Sequence, residues 1–353
     1  MAVDISKLVN EIKEPIGFEQ LGSKTIAIDA YNTIYQFLSI IRQPDGSPLV
    51  DSKGRVTSHL SGLLYRTINL LEYRITPVFI FDGIPPVLKQ KTLMARANAR
   101  REAQEQWERA RREGQIAEAR MHAVASTKIT KEVIESSKEL LRYMGIAYLQ
   151  APSEGEAQAA ALARKGLAYA IASQDYDSFL FGADVVIRNL TISGRRKLPM
   201  RNVYVNTTPE RFVLEKLLTH LGISRKQLIW LGILIGTDFN GGIDKVGPMT
   251  ALKIVKEHND LDRIINYVRT KYNTDFDADP HEVEAIFLNP DVQDVGQAQF
   301  DEMMSANKFD PEKAMKFMCN EHDFSLERIE AAMEKLGQFS ADKGQKDINK
   351  WLR

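Results

Sequence analysis

Four short runs rich in β-branched and aromatic residues, each ending in or soon followed by carboxylates, constrain this chain more than any other feature. They are Thr25–Asp29 (TIAID), Pro77–Asp82 (PVFIFD), Ile146–Gln150 (IAYLQ) and Ala168–Ser173 (AYAIAS), with a further apolar run at Val185–Ile187. The stretches between the first four are long and helical in pattern. Strands joined by helical crossovers run parallel within one sheet, so their carboxyl ends share an edge. The expected fold class is therefore α/β, with a central twisted, mostly parallel sheet and helices on both faces. Asp29 and Asp82 end the first two runs, Glu154 and Glu156 follow the third, and Asp175 and Asp177 follow the fourth. Six carboxylates then meet at the edge where open α/β sheets bind ligands. Asp238, in IGTDFNGG, is a seventh candidate.

So many like charges do not ionise side by side without cations, because each raises the pKa of its neighbours. Hard divalent ions meet that need. Mg²⁺ takes a few carboxylates and keeps several waters, and two such ions about 3.5–4 Å apart clamp the attacking and leaving oxygens of a phosphodiester. Competing chemistries lack their parts. Cys319 is the only cysteine, the six histidines are scattered, and neither a zinc-type helix motif nor a Walker-type phosphate loop is present. An intramolecular disulfide and a cysteine-based zinc site are excluded. Taken singly, each acid also reads as scaffolding: Ser153 with Glu156 as a capping box, Asp29, Asp175 and Asp177 as N-caps, Asp238 as a stabiliser of a Gly-rich turn. Taken jointly, four strand ends finishing in acid are poorly explained by caps.

The 353 residues carry 47 basic and 47 acidic side chains, with 44% hydrophobic residues. These are globular proportions, enough for two domains or for one with appendages. No stretch reaches the roughly 18 apolar residues of a membrane span, and the charged N-terminus does not read as a signal peptide. A soluble protein of a reducing compartment is expected. The charge is segregated: residues 188–201 hold Arg188, Arg195, Arg196, Lys197 and Arg201 without an acid, whereas 256–300 are strongly acidic. Residues 93–125 have helix formers and no clear apolar stripe, the mark of a helix that stands in solvent or binds something polar. Gly114 should break it in two. Residues 226–258 read as an apolar helix, a Gly-rich turn and a second helix opening near Pro248. A polar helical region follows, and the last stretch, GQFSADKGQKDINKWLR, reads as a flexible tail.

The motifs AIDAYNTIYQFL, VFIFDGIPPVLKQKTLMAR, APSEGEAQAAALARKG, SQDYDSFLFG and IGTDFNGGIDKVG, in this order, resemble the structure-specific 5′ nucleases, most closely the flap endonucleases of archaeal type. The resemblance covers essentially the whole chain. It implies a PIN-like nuclease core in residues 1–92 and 126–225, a helical arch or cap at 93–125, a helix-hairpin-helix-type duplex-binding element at 226–260, a helical region at 261–336 and a tail at 337–353. Asp29, Asp82, Glu154, Glu156, Asp175, Asp177 and Asp238 fall on the family's metal-cluster acids. Two Mg²⁺ ions are implied, with Mn²⁺ as a substitute. Lys89 and Arg96 match the basic pair that approaches the scissile phosphate, and Tyr35 matches an aromatic on which a base stacks, although its helical spacing suits a core residue equally. Arg100 and Arg101 would line the path of the single strand. Gly242, Lys245, Gly247 and Lys253 would serve the duplex-binding turn, whose carbonyls hold K⁺ in the family.

Gln345, Ile348, Trp351 and Leu352 fit a sliding-clamp-binding pattern, with Leu352 where a second aromatic is usual. Ala2 stands where the family commonly has Gly. The chain stops one residue after the clamp pattern, where eukaryotic relatives carry a basic extension, which points to an archaeal-type, cytoplasmic protein. A monomer is expected. The function so implied is removal of 5′ flaps in replication and repair. A 5′–3′ exonuclease or junction nuclease of the same superfamily, a non-catalytic clamp-bound DNA scaffold and an unrelated carboxylate metallophosphatase are the rivals.

Overall fold

The computed structural model describes residues 3–192, 194–197 and 204–351. Its strands are β1 (Glu14–Pro15), β2 (Thr25–Asp29), β3 (Thr76–Phe81), β4 (Ala147–Gln150), β5 (Ala170–Ala172), β6 (Val185–Arg188), β7 (Gly194–Lys197), β8 (Tyr204–Thr207) and β9 (Glu210–Val213). Seven of them form one sheet in the order β1-β9-β6-β5-β2-β3-β4. The five strands read from sequence are parallel, in registers such as Ile28 opposite Phe79 and Ile26 opposite Ala170. An antiparallel edge of β9 and β1, absent from the sequence reading, completes the sheet beside β6.

Alternation along the strands builds two core layers. Ala27, Val78, Ile80, Ile171 and Val186 face helices Gly155–Arg164, Leu214–Leu221, Arg225–Ile235 and Pro248–Glu257. Ile26, Ile28, Phe79, Phe81 and Ile187 face helices Ala30–Ile40, Ser58–Glu72 and Lys131–Tyr143. Burial on both faces is why these strands read as continuous apolar runs. The region after residue 260 belongs to both layers: Val268, Val283 and Phe287 pack on the first side, Phe317, Met318, Ile329 and Met333 on the second. Residues 337–351 of the segment read as a tail continue one helix, Leu326–Trp351, with Gly337 inside it and Phe339 against the core. No helix among the described residues is long and apolar enough to cross a membrane.

The polar stretch forms two helices, Gln90–Arg112 and Ile116–Ala125, joined at Gly114, whose φ of +72° suits glycine. They lie between β3 and β4 in the chain and pack on each other. The stripe missed in the sequence is made of alanine: Ala103, Ala110, Ala119 and Ala123 are buried. Alanine lets two helices approach closely while leaving the outer surface polar. The second helix rests on the turn at Gln43–Ser47, where a Cβ on Gly46 would stand 2.8 Å from the Arg120 Cα.

Asp51 ties the Val50–Val56 bridge to the C-terminal region. It accepts from the Arg55 N–H at 2.9 Å, the Arg55 Nε–H at 2.7 Å and His322 Nδ1 at 3.0 Å. Burial alone would raise its pKa, but these donors together hold it down at about 2. A carboxyl depressed in the folded state adds stability that is complete above its unfolded value, about 3.9, and is lost as pH falls towards 2. Asp51→Asn should therefore lower the unfolding midpoint at pH 6 and flatten its decline between pH 4 and 2, as read by denaturant titration.

Candidate active site

Seven acids reach one place because four strand ends and one Gly-rich turn deliver them. Asp29 ends β2 and caps the next helix, its Oδ1 accepting the Asn32 N–H at 3.0 Å. Asp82 follows β3 and accepts the Gly155 N–H at 2.6 Å; a Cβ on Gly155 would collide with the same oxygen. Glu154 sits at the start of helix Gly155–Arg164 without capping it and meets Lys89 Nζ at 2.5 Å. Glu156 Oε1 accepts the hydroxyls of Ser173 and Ser178, each at 2.7 Å. Asp175 accepts Asn32 Nδ2–H at 3.0 Å, and Asp177 accepts the Val3 N–H at 2.8 Å. Asp238 pairs with Lys89 Nζ at 3.3 Å and with the Arg96 guanidinium. The capping-box alternative for Ser153 and Glu156 is thus not what forms, and Asp177 lies inside its helix rather than at its cap. The Gly-rich turn is held by Thr237 and Asn240.

Electrostatics joins all seven. Burial, then Glu154, pushes Asp82 up to about 6, and burial, then Asp238, pushes Asp177 up to about 7. Asp29 and Glu156 are raised well above the usual range, chiefly by burial and then by Asp82 and Asp175 respectively. Asp175 is raised by burial and by Asp238. Asp238 behaves oppositely: burial works to raise it, but Lys89 and Arg96 outweigh that and hold it low. Lys89, although buried, is kept charged by Glu154 and Asp238. Lys89 and Arg96, the main cations here, still leave Asp29, Asp82, Glu156, Asp175 and Asp177 raised, a charge deficit of the kind that a bound cation relieves. Among the described residues no three His, Cys, Asp or Glu side chains already stand at metal-binding spacing, in keeping with Lys89 and Arg96 holding Glu154 and Asp238. The donors are all oxygen, the ligand type that hard cations take.

The other predicted residues lie around this cluster. Tyr35 is 40% exposed on helix Ala30–Ile40, so it is not a core residue. Arg100 and Arg101 lie on helix Gln90–Arg112. Gly242 has φ +74° and a Cβ there would meet the Gly236 nitrogen at 2.5 Å; Lys245 is exposed with φ +64°. Gly247 precedes helix Pro248–Glu257, on which Lys253 stands 3.8 Å from Glu257. Gln345, Ile348 and Trp351 fall in the terminal helix, and Leu352 lies outside the described residues, as does Ala2. Of the basic segment, Arg195, Arg196 and Lys197 occupy β7 of a two-stranded hairpin, while Arg188 Cζ lies 4.5 Å from the ring centre of Tyr176. Sequence reading missed Asn32, Ser173, Ser178 and the Val3 amide, which hold the acids. Asn32 and Ser173 are polar residues flanking acidic ones, a usable signal; the Val3 amide left none.

Residues 1–103 match the XPG N-terminal domain and residues 145–238 match the XPG I-region. Flap endonuclease 1 of Methanosarcina barkeri is 49% identical over 352 residues, and that of Pyrococcus furiosus 48% over 354, with all of both chains covered in each case. The structure of flap endonuclease-1 from Methanococcus jannaschii superposes with a TM-score of 0.72 at 37% identity, covering 94% of this chain and 97% of that one. The catalytic core of Rad2 in complex with DNA substrate gives 0.63 at 25% identity over 95% and 100%. Fold, acid cluster and these likenesses define a nuclease of the XPG class, which hydrolyses phosphodiesters and depends on metal ions. Within that class the chain belongs to the flap endonuclease 1 family, and it is a structure-specific flap endonuclease.

A carboxyl whose pKa is raised by folding contributes stability below its unfolded value and loses it as pH climbs through the folded one. With Asp82 at about 6 and Asp177 at about 7, the metal-free protein should lose stability between pH 4 and pH 8. Asp177→Asn should raise the metal-free melting temperature at pH 8 by roughly 2 °C or more, and added divalent ion should stabilise the parent chain and not the variant. Calorimetry in chelator and in Mg²⁺ reads both.

Proposed function

We propose that this protein removes 5′ flaps from replication and repair intermediates with two Mg²⁺ ions, for which Mn²⁺ can substitute. The observation that carries the reading is the convergence of Asp29, Asp82, Glu154, Glu156, Asp175, Asp177 and Asp238 with Lys89 and Arg96 at the mouth of a two-helix arch. When bound, the two ions supply a nucleophilic water and charge for the leaving 3′ oxygen. The acids hold them there. Lys89 and Arg96, both on or beside the first turns of the arch helix, exchange their carboxylates for the scissile phosphate and neutralise charge developing on it, an effect typically of a few kcal/mol.

Arg100 and Arg101, further along the same helix, contact phosphates of the single strand passing the arch. Tyr35, solvent-facing one turn beyond Asn32, offers its ring to the base beside the cut. Gly242, Lys245, Gly247 and Lys253 grip the duplex, where amides at the start of helix Pro248–Glu257 favour phosphate. Carbonyls of the same turn hold K⁺. Phosphate contact of this kind is indifferent to sequence. Gln345, Ile348, Trp351 and Leu352 bind a sliding clamp, Trp351 being the residue type that anchors interfaces. The protein acts as a monomer in the cytoplasm.

A labelled double flap with a free 5′ end should be cut near its junction in Mg²⁺, and the same flap blocked at that end should not; equal cutting of both would remove the threading role of the arch. Asp177→Ala should abolish cutting with DNA affinity largely kept. For Lys89→Ala, single-turnover rates should fall ~10²-fold or more at nearly unchanged Kd; a loss confined to Kd contradicts its role at the phosphate. Trp351→Ala should leave flap cutting without clamp unaltered and weaken clamp binding in a pull-down.

A further inference from the structure

The arch and the Gly-rich turn share one carboxylate that lies outside the acid cluster. Asp277 accepts Lys91 Nζ–H on Oδ2 at 2.7 Å and the Gly241 N–H on Oδ1 at 2.9 Å. Lys91 is on the first turn of helix Gln90–Arg112, two residues past Lys89, and Gly241 lies between Asp238 and Gly242 in the turn. The loop that carries Asp277 is itself fixed. Arg269 pairs with Asp275 at 3.2 Å, Phe276 and Ala278 pack against the core, and Asp279 caps the next helix through the His281 N–H at 2.9 Å. Gly241 fits closely, since a Cβ there would stand 3.2 Å from Asp277 Oδ2.

We propose that Asp277 is a positioning residue that holds the base of the arch, and with it Lys89, at a set distance from the duplex-gripping turn, and so fixes where the cut falls relative to the junction. This rests on the assignment of arch and turn made above. Lys89 and Arg96 also tie these parts together through Asp238, and both use groups that the ions and the scissile phosphate require. Asp277 and Lys91 compete with neither, so their link persists while the others are exchanged. Lys91 is 76% exposed in its side chain, and an exposed pair of this kind adds little to global stability. Its consequence is geometry, to which phosphodiester chemistry is sensitive.

Asn at position 277 keeps an oxygen for the Gly241 amide and turns an NH₂ towards Lys91, so Asp277→Asn severs only the arch side of the link. Lys91→Met severs the same side from the other end. With saturating enzyme on the double flap in Mg²⁺, each should lower the single-turnover rate by roughly 10-fold, leave Kd for the flap nearly unchanged, and spread cutting over neighbouring phosphates. The double variant should be no worse than either single one, as expected of two residues in one interaction. In a Cys319→Ser background with dyes at Glu113→Cys and Met249→Cys, the metal-free distance distribution between arch and turn should broaden in Asp277→Asn. Unchanged melting temperatures establish that the variants fold. A single sharp cut site with an unchanged distribution, or additive rate losses, overturns the proposal. Equal cutting of free and blocked flaps by the parent chain overturns it as well, by removing the arch assignment on which it stands.

Discussion

Repulsion among buried carboxylates is the constraint around which this molecule is arranged. A parallel sheet carries its strand ends to one edge, and here those ends are acidic, so the fold concentrates negative charge where the dielectric is low. Left alone, such a cluster neutralises itself by taking up protons. The chain answers with donors placed residue by residue: the amides of Val3, Asn32 and Gly155, the hydroxyls of Ser173 and Ser178, and the cations of Lys89 and Arg96. Asp29, Asp82 and Asp177 are each met on one oxygen by an amide, Ser173 and Ser178 share one oxygen of Glu156, and Asp238 is held on both of its oxygens by Lys89 and Arg96. Stability is thereby held below what an uncharged edge would permit, the usual cost of a site built for function.

The strands that position the acids were legible because both their faces are buried, which turns them into unbroken apolar runs bounded by charge. Asp29, Asp82, Glu154, Glu156, Asp175 and Asp177 followed from that pattern, and the structure brings them together with Asp238. Pattern alone did not reveal β1 and β9, two and four residues long, whose pairing joins Glu14 to Arg211 across most of the chain. Nor did it reveal the buried face of the arch, because alanine contributes little to an apolar stripe while fitting best between close helices. Lys89, Arg96 and the turn glycines came from likeness to known nucleases, not from periodicity. Asp277 carried no signal at all: it stands in an acidic loop like several others, and only the spatial meeting of Lys91 and Gly241 distinguishes it.

The region after residue 260, read as polar and helical, completes both core layers, one through Phe287 and the other through Phe317 and Met333. Its Asp323 reaches back to the Ser52 amide at 2.6 Å, and Lys165 is held by the Val295 carbonyl at 2.9 Å. The sheet's outer strand β4 is covered in the same way, Gln293 Nε2 donating to the Gln150 carbonyl at 2.9 Å and Asn307 Nδ2 to the Ile146 carbonyl at 2.7 Å. The β4 edge is thus covered by the chain's own later residues, which blunts it as a site for pairing with another strand.

The insertion of the arch between β3 and β4 carries a different consequence. Both of its ends leave from the same side of the sheet, and its two helices satisfy each other through alanines instead of drawing on the central layers. Such a unit can gain or lose whole turns at its Gly114 tip while the strand ends stay in register. The reach of this helix pair is then a property that selection, or an engineer, can tune by length alone, separately from the carboxylates at its foot.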